Sequence, residues 1–163
     1  MVFTGTYEHA IDAKHRLAVP SELRRQIQRR EGRGEGDPVV LYATVGGDGV
    51  LLLYTEDVFA RLAEQLNESD MEPEELAAYE ELFYTQSRTT ELDKQGRVRL
   101  PAELLEQTGL SGEVVVLGVK DHIEVRDRGA WRRRLEQLRA ERAGMKLPMN
   151  PRWAMRNTAG KTP

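Results

Sequence analysis

Two arginines, Arg16 and Arg97, each stand four positions after an aspartate, Asp12 and Asp93. A guanidinium presents its N–H donors as a planar fork that can bond guanine O6 and N7 in a bidentate manner in the DNA major groove. The aspartate would orient its arginine without touching DNA, whose phosphates repel a carboxylate. A structural reading stands beside this one: an aspartate at a turn accepts backbone N–H groups and pairs with an arginine across it. A single turn would not separate the two readings, but this one occurs twice, and each copy gathers further basic residues. Lys14 lies beside Arg16, Lys94 and Arg99 accompany Arg97, and Arg24 and Arg25 follow just beyond the first turn. Asp12, Lys14, Arg16, Asp93, Lys94, Arg97 and Arg99 are therefore the expected DNA-binding set.

The turns belong to a longer internal repeat. Asp12-Ala-Lys-His-Arg16-Leu-Ala-Val-Pro20-Ser-Glu22-Leu23 returns 81 residues later as Asp93-Lys-Gln-Gly-Arg97-Val-Arg-Leu-Pro101-Ala-Glu103-Leu104. Self-similarity of this length implies a fold built from two copies of one unit. Each copy starts with a short strand, Thr6–Ile11 or Thr89–Leu92, and turns into a second, Arg16–Val19 or Arg97–Leu100. The alternation in the second strand points Leu17, Val19, Val98 and Leu100 inward and Arg16, Ala18, Arg97 and Arg99 outward. Three residues separate each Asp from its Arg, the length of a hairpin loop with one residue at positive φ. Gly96 takes that conformation freely, whereas His15, at the matching place, takes it less readily.

Pro20 and Pro101 suit the first turn of a helix, and short helices follow, Ser21 to Arg30 and Ala102 to Thr108. Strands come next at Val39–Tyr42 and Val50–Tyr54, or Val114–Leu117 and His122–Arg126. A helix with an aromatic residue near its start, Phe59 or Trp131, closes each copy. The unit is β-β-α-β-β plus a helix, and the class is α+β. Between the copies, Pro73 begins a helix to Tyr84 with Leu76, Tyr79 and Phe83 on one stripe. The preceding helix has Phe59, Leu62 and Leu66 at similar spacing, so a helical hairpin with both stripes in the core is expected. The expected division is 5–57 for the first repeat, 58–85 for a helical connector and 86–129 for the second repeat. A C-terminal helix at 130–143 and a poorly ordered tail at 144–163 complete it.

The 163 residues include no cysteine, which excludes disulfides and thiolate metal sites. No apolar run approaches the ~18 residues of a membrane span, and the N-terminus has no secretory pattern. A reduced, cytoplasmic setting is expected. The net charge of −3 conceals strong segregation. Residues 1–30 hold six Lys/Arg against three Asp/Glu, residues 55–92 two against eleven, and residues 126–163 eleven against three. A binding face needs local charge of one sign rather than a basic average.

The opening Phe3-Thr-Gly5-Thr-Tyr7, both Asp-x-x-x-Arg turns, Gly118-Val-Lys-Asp-His122-Ile-Glu124 and Trp131 resemble the MraZ transcriptional regulators of bacteria. Their repeat is of the SpoVT/AbrB type, and the resemblance spans residues 1–143. It implies a swapped-hairpin (double-split) β-barrel made from both repeats, with peripheral helices, and a ring-like homo-oligomer. It further implies a nucleoid-associated regulator, most simply a repressor, on double-stranded DNA. The expected operator is a set of short direct repeats upstream of the division and cell-wall gene cluster, its own promoter included. The family's turn residues correspond to Asp12, Arg16, Asp93 and Arg97, with His15 in place of the usual glycine. No cofactor and no small-molecule substrate are implied.

Two other classes compete. For an enzyme, His9, His15 and His122 lack metal-ligand spacing, and neither a nucleophile elbow nor a phosphate-cradling Gly-Lys-Ser/Thr loop is present. No catalytic or metal residue is expected. An AbrB-type antitoxin would usually carry one copy of the unit and grip its toxin with a tail, so two copies in one chain argue against it. A non-specific nucleoid protein is a weaker form of the main reading.

Overall fold

Leu17 and Val98, the middle residues of the two alternating strands, are both fully buried, and they face each other. That pairing organises the molecule. The computed structural model describes residues 2–34 and 36–145, with Arg152 and Met155 beyond them. In chain order the elements are β1 (Thr6–Ala10), β2 (Arg16–Ala18), α1 (Ser21–Glu31), β3 (Val40–Val45), β4 (Leu51–Thr55), α2 (Glu56–Leu66) and α3 (Pro73–Gln86). They continue as β5 (Arg88–Glu91), β6 (Arg97–Arg99), α4 (Ala102–Thr108), β7 (Glu113–Val119), β8 (His122–Asp127) and α5 (Arg128–Met145). Of the described residues, those up to Arg128 form one compact unit, and Gly129–Met145 belong to a second. The tail expected at 144–163 falls, from Lys146 onward, outside the described residues apart from Arg152 and Met155.

The class is α+β, and the two repeats exchange strands. All ladders are antiparallel in a six-stranded sheet of order β1-β7-β8-β4-β3-β5. β1 of the first repeat lies on β7 of the second, with Thr6 opposite Leu117 and Ala10 opposite Glu113. Reciprocally, β5 of the second repeat lies on β3 of the first, with Val40 opposite Glu91 and Ala43 opposite Arg88. β2 and β6 make a separate two-stranded ribbon across the repeats. Each repeat therefore supplies the strand that the other repeat's sheet lacks. The shared core contains Leu17, Val19, Leu23, Ile27 and Leu41 from the first copy and Val98, Leu100, Leu104, Val114 and Val116 from the second. Truncating one such Leu to Ala would cost roughly 2–5 kcal/mol.

Several local expectations change. Beyond an isolated Leu92–Val98 bridge, the strands on either side of each Asp-x-x-x-Arg turn do not form a hairpin ladder with each other. Two backbone bonds close each turn: Asp12 N–H to the Arg16 carbonyl and His15 N–H to the Asp12 carbonyl, both at 3.0 Å, and Asp93 N–H to the Arg97 carbonyl at 2.8 Å with Gly96 N–H to the Asp93 carbonyl at 2.9 Å. The strands then diverge to partners in the other repeat, where their apolar residues meet. Pro20 and Pro101 sit at the N-cap in extended conformation, one place before the helices start. β3 runs on to Val45 and β7 spans Glu113–Val119, because cross-strand pairing carries both past the apolar run that marks them in sequence.

The helical connector departs furthest from expectation. No residue of α3 is buried, and Tyr79 and Leu82 remain 43 % and 66 % exposed. α3 is held by stacked rings instead. Phe83 stacks on Phe59 of α2 with centroids 5.7 Å apart, and Phe59 stacks on Tyr42 of β3 at 4.4 Å. The expected stripe thus grips the domain through Phe83, with Leu76 half-buried and Tyr79 exposed. Among the described residues, no helix is long and apolar enough to cross a membrane.

Candidate nucleic-acid interface

Each turn is built around its aspartate. Asp12 Oδ1 accepts the backbone N–H groups of Lys14 and Arg16, both at 2.9 Å, and Oδ2 accepts Arg16 Nε at 2.7 Å. Asp93 repeats the pattern: Oδ1 accepts the N–H groups of Gln95 and Arg97 at 2.9 Å, and Oδ2 accepts Arg97 Nε at 3.0 Å. Three donors converge on each carboxylate and favour its charged form. The backbone N–H of Arg16 is the foremost cause that holds Asp12 at about 2, well under its ordinary 3.8. Asp93 is lowered too, chiefly by the backbone N–H of Arg97. Both carboxylates are ionised at neutral pH, and each binds the Nε edge of its guanidinium. The opposite edge of Arg16 points away from Asp12, while Arg97 also donates from Nη2 to Gln95 Oε1 at 3.1 Å.

The ribbon brings the two turns together. Arg16 stands directly opposite Arg99, and Ala18 opposite Arg97. The outward face of this short ribbon therefore carries Arg16, Arg97 and Arg99. Like charges directly opposite in an antiparallel pair repel each other, and Asp12 compensates Arg16. Such a pair is stabilised by an anionic partner. Two further bonds lock the turns across the repeats: Val19 N–H donates to the Gly96 carbonyl at 2.9 Å, and Leu100 N–H to the His15 carbonyl at 2.8 Å. Gly96 and His15 are the left-handed residues of their turns, with φ of 76° and 59°.

Strand exchange also changes what surrounds each turn. Arg24, expected beside the first turn, lies against the second. Its Nε donates to the Val19 carbonyl at 3.1 Å, and its guanidinium covers Gly96 so closely that a Cβ there would lie 2.5 Å from Arg24 Cζ. A groove over α1 is lined by Arg24, Arg25, Asp93, Lys94 and Gly96. The groove at the corresponding place over α4 is lined by Leu105, Glu106, Asp12, Ala13 and His15. Lys14 and Lys94 are exposed but occupy different turn positions, aligned with Gln95 and Ala13 respectively. Of the seven predicted residues, the structure groups Arg16 with Arg99 across the ribbon and Lys94 with Asp93 and the α1 arginines. Arg24 was visible in sequence as a basic residue near a turn. Its attachment to the other repeat's turn follows only from the strand exchange.

A second polar cluster lies at the β7–β8 turn. His122 bridges Asp121 at 2.9 Å and Glu124 at 3.2 Å, and Arg126 Nε donates to Glu124 at 2.7 Å. Glu124 raises the His122 pKa, and His122 with Arg126 holds Glu124 at about 2. These ion pairs brace the turn. Among the described residues, no group of three or more His, Asp and Glu side chains is placed to hold a metal ion.

A family model described as "MraZ protein, putative antitoxin-like" matches residues 2–79 and 83–146. Transcriptional regulator MraZ of Heliobacterium modesticaldum is 35 % identical over 130 residues, which is 80 % of this chain and 84 % of that protein. The protein of the same name from Thermomicrobium roseum is 34 % identical over 140 residues, 86 % of this chain and 92 % of its own. That of Mycoplasmoides gallisepticum is 37 % identical over 130 residues, with 80 % and 84 % covered.

Proposed function

This chain belongs to the MraZ family, and from that premise we propose that it is a sequence-specific DNA-binding regulator of transcription that reads DNA with its two Asp-x-x-x-Arg turns. The observation that carries the reading is the β2–β6 ribbon, which presents Arg16, Arg97 and Arg99 on one outward face with Arg16 and Arg97 each held at Nε by an aspartate. A two-stranded ribbon fits the major groove, and a guanidinium held at one edge can donate the other to guanine, each good contact contributing about 1–3 kcal/mol of discrimination. Arg99, Lys14 and Lys94 supply positive charge for the flanking phosphates. Arg24 and Arg25 extend that charge along the groove over α1.

The operator in this reading is a set of short direct repeats upstream of the division and cell-wall gene cluster, the regulator's own promoter included, and the effect is repression. One chain offers few base contacts, so useful affinity needs several subunits on neighbouring repeats, which a ring-like homo-oligomer supplies. Residues 5–57 and 86–129 are the reading repeats, 58–85 the connector and 130–143 a C-terminal helix. The setting is the cytoplasm at the nucleoid, with no catalytic step.

A gel-shift titration tests the proposal. Folded Arg97→Ala protein should lose binding to duplex DNA from upstream of its own gene down to its level on random duplex. Undiminished specific binding by that variant would overturn the assignment.

A further inference from the structure

We propose, on the strength of the DNA-reading role given to the two turns, that the β2–β6 ribbon has a direction, set by Ala18 and Arg99 at corresponding positions of the two repeats. The register of the ribbon is centred on the buried Leu17–Val98 pair. Exchanging β2 and β6 about that centre carries Arg16 onto Arg97 and Ala18 onto Arg99. One end of the outward face therefore presents two guanidiniums, Arg16 opposite Arg99, and the other presents Arg97 opposite the methyl group of Ala18. A ribbon with identical ends would read a palindrome and seat equally well either way round. With these ends it reads a non-palindromic element and seats in one direction, as direct repeats require.

Each end implies a base chemistry. Opposite residues of an antiparallel pair stand about 4.5–5.5 Å apart at Cα, and successive base pairs about 3.4 Å. Arg16 and Arg99 can therefore take the O6 and N7 acceptors of adjacent guanines, while Ala18, across from Arg97, suits the 5-methyl group of thymine. Arg99 is more than a solvated charge. Arg16 and Arg97 each have an aspartate at Nε, whereas Arg99 is exposed and stands across from a like charge, an arrangement that costs stability until an electronegative partner arrives. Its five N–H donors leave room for a base edge beside the phosphate already assigned to it. The hydroxyl of the buried Thr90 donates to the Arg99 carbonyl at 2.8 Å and pins the strand where that side chain leaves it. The first repeat has His9 at the position of Thr90. Backbone anchoring divides the other way, with Arg24, Arg25 and Lys94 lining the groove at the second turn.

Selection from a library of random duplexes by the full-length protein tests this, with folding of each variant checked by circular dichroism. Wild-type protein should enrich a non-palindromic element with two adjacent guanines at one end. Arg99→Ala makes the two ends alike, so its element should lose a guanine at that end alone and become palindromic. Its affinity for the wild-type element should fall about 5- to 150-fold, the span of one bidentate base contact. Arg99→Gln should keep that position and turn its preference to adenine, whose N6 and N7 glutamine matches. A palindromic wild-type element, an Arg99→Ala element identical to the wild-type one, or guanine retained at that position by Arg99→Gln would overturn the proposal. Arg97→Ala is the control for the underlying assignment. If that folded variant enriches the same element as wild type, or wild type enriches none, the turns do not read DNA. Failure of the direction alone leaves an element that still depends on Arg97.

Discussion

The two Asp-x-x-x-Arg turns share one hydrogen-bonded skeleton and differ in what the rest of the chain lays against them. At the second turn, Gly96 lets the Arg24 guanidinium pack onto the backbone, and Lys94 and Arg25 line the same groove. At the first, His15 occupies the left-handed position, and the adjoining groove holds Leu105 and Glu106. Duplication thus kept the carboxylate–guanidinium pair twice while the surrounding charge diverged. Because the repeats exchange strands, each turn takes its neighbours from the other copy. In the proposed reading, the second turn combines base reading with phosphate anchoring, and the first depends on Arg16, Arg99 and Lys14.

The largest effect that can break this comparison is on specific binding. Arg97→Ala should weaken it more than Arg16→Ala in equilibrium titrations, each loss being about 1–3 kcal/mol per engaged subunit. Equal losses would mean that the turns are equivalent and their grooves irrelevant. Next in size is stability. Gly96→Ala places a side chain at φ 76° against Arg24 and should cost roughly 1–3 kcal/mol in urea denaturation. His15→Gly should instead raise stability, by no more than about 1 kcal/mol. A Gly96→Ala protein as stable as wild type would remove the packing of Arg24 from the account.

Salt dependence sharpens the contrast. If Arg24 and Lys94 neutralise phosphates, removing both should flatten the slope of log affinity against log salt by about 2 per chain engaged. Removing Lys14 alone should flatten it by about 1, and placing a cation at the first groove, Glu106→Arg, should steepen it. The smallest effect is in acid. Asp12 has a folded pKa below its unfolded value, so its stabilising contribution is complete above about 3.8 and is lost as pH falls toward about 2. Asp93 is shifted in the same direction. Carboxyl NMR titrations should find both midpoints below 3.8, and an ordinary midpoint at either turn would mean that its carboxylate is not held.

Much of this was legible in the sequence, for reasons that can be traced. The 81-residue repeat revealed the duplicated unit, and strand alternation placed Leu17 and Val98 in the core, where both are fully buried. Gly96 was readable as a positive-φ residue because turn geometry is local. Its contact with Arg24 was not, since it joins the two repeats through strands that swap partners, and no local pattern encodes that swap. Similarly, helical spacing showed that Leu76, Tyr79 and Phe83 share a stripe. Spacing says which side chains sit together, not whether anything covers them, and α3 keeps no fully buried residue although its rings stack on the domain.

The central claim is that both turns read the same short DNA element wherever it repeats. A DNase footprint of wild-type protein on DNA upstream of its own gene tests this most directly, run beside the Asp12→Ala/Asp93→Ala protein. The account predicts protection of regularly spaced direct repeats by the wild type, absent on random duplex and absent with the double variant at equal concentration. Protection that spreads evenly over any sequence, or that survives loss of both aspartates in a folded protein, would contradict it.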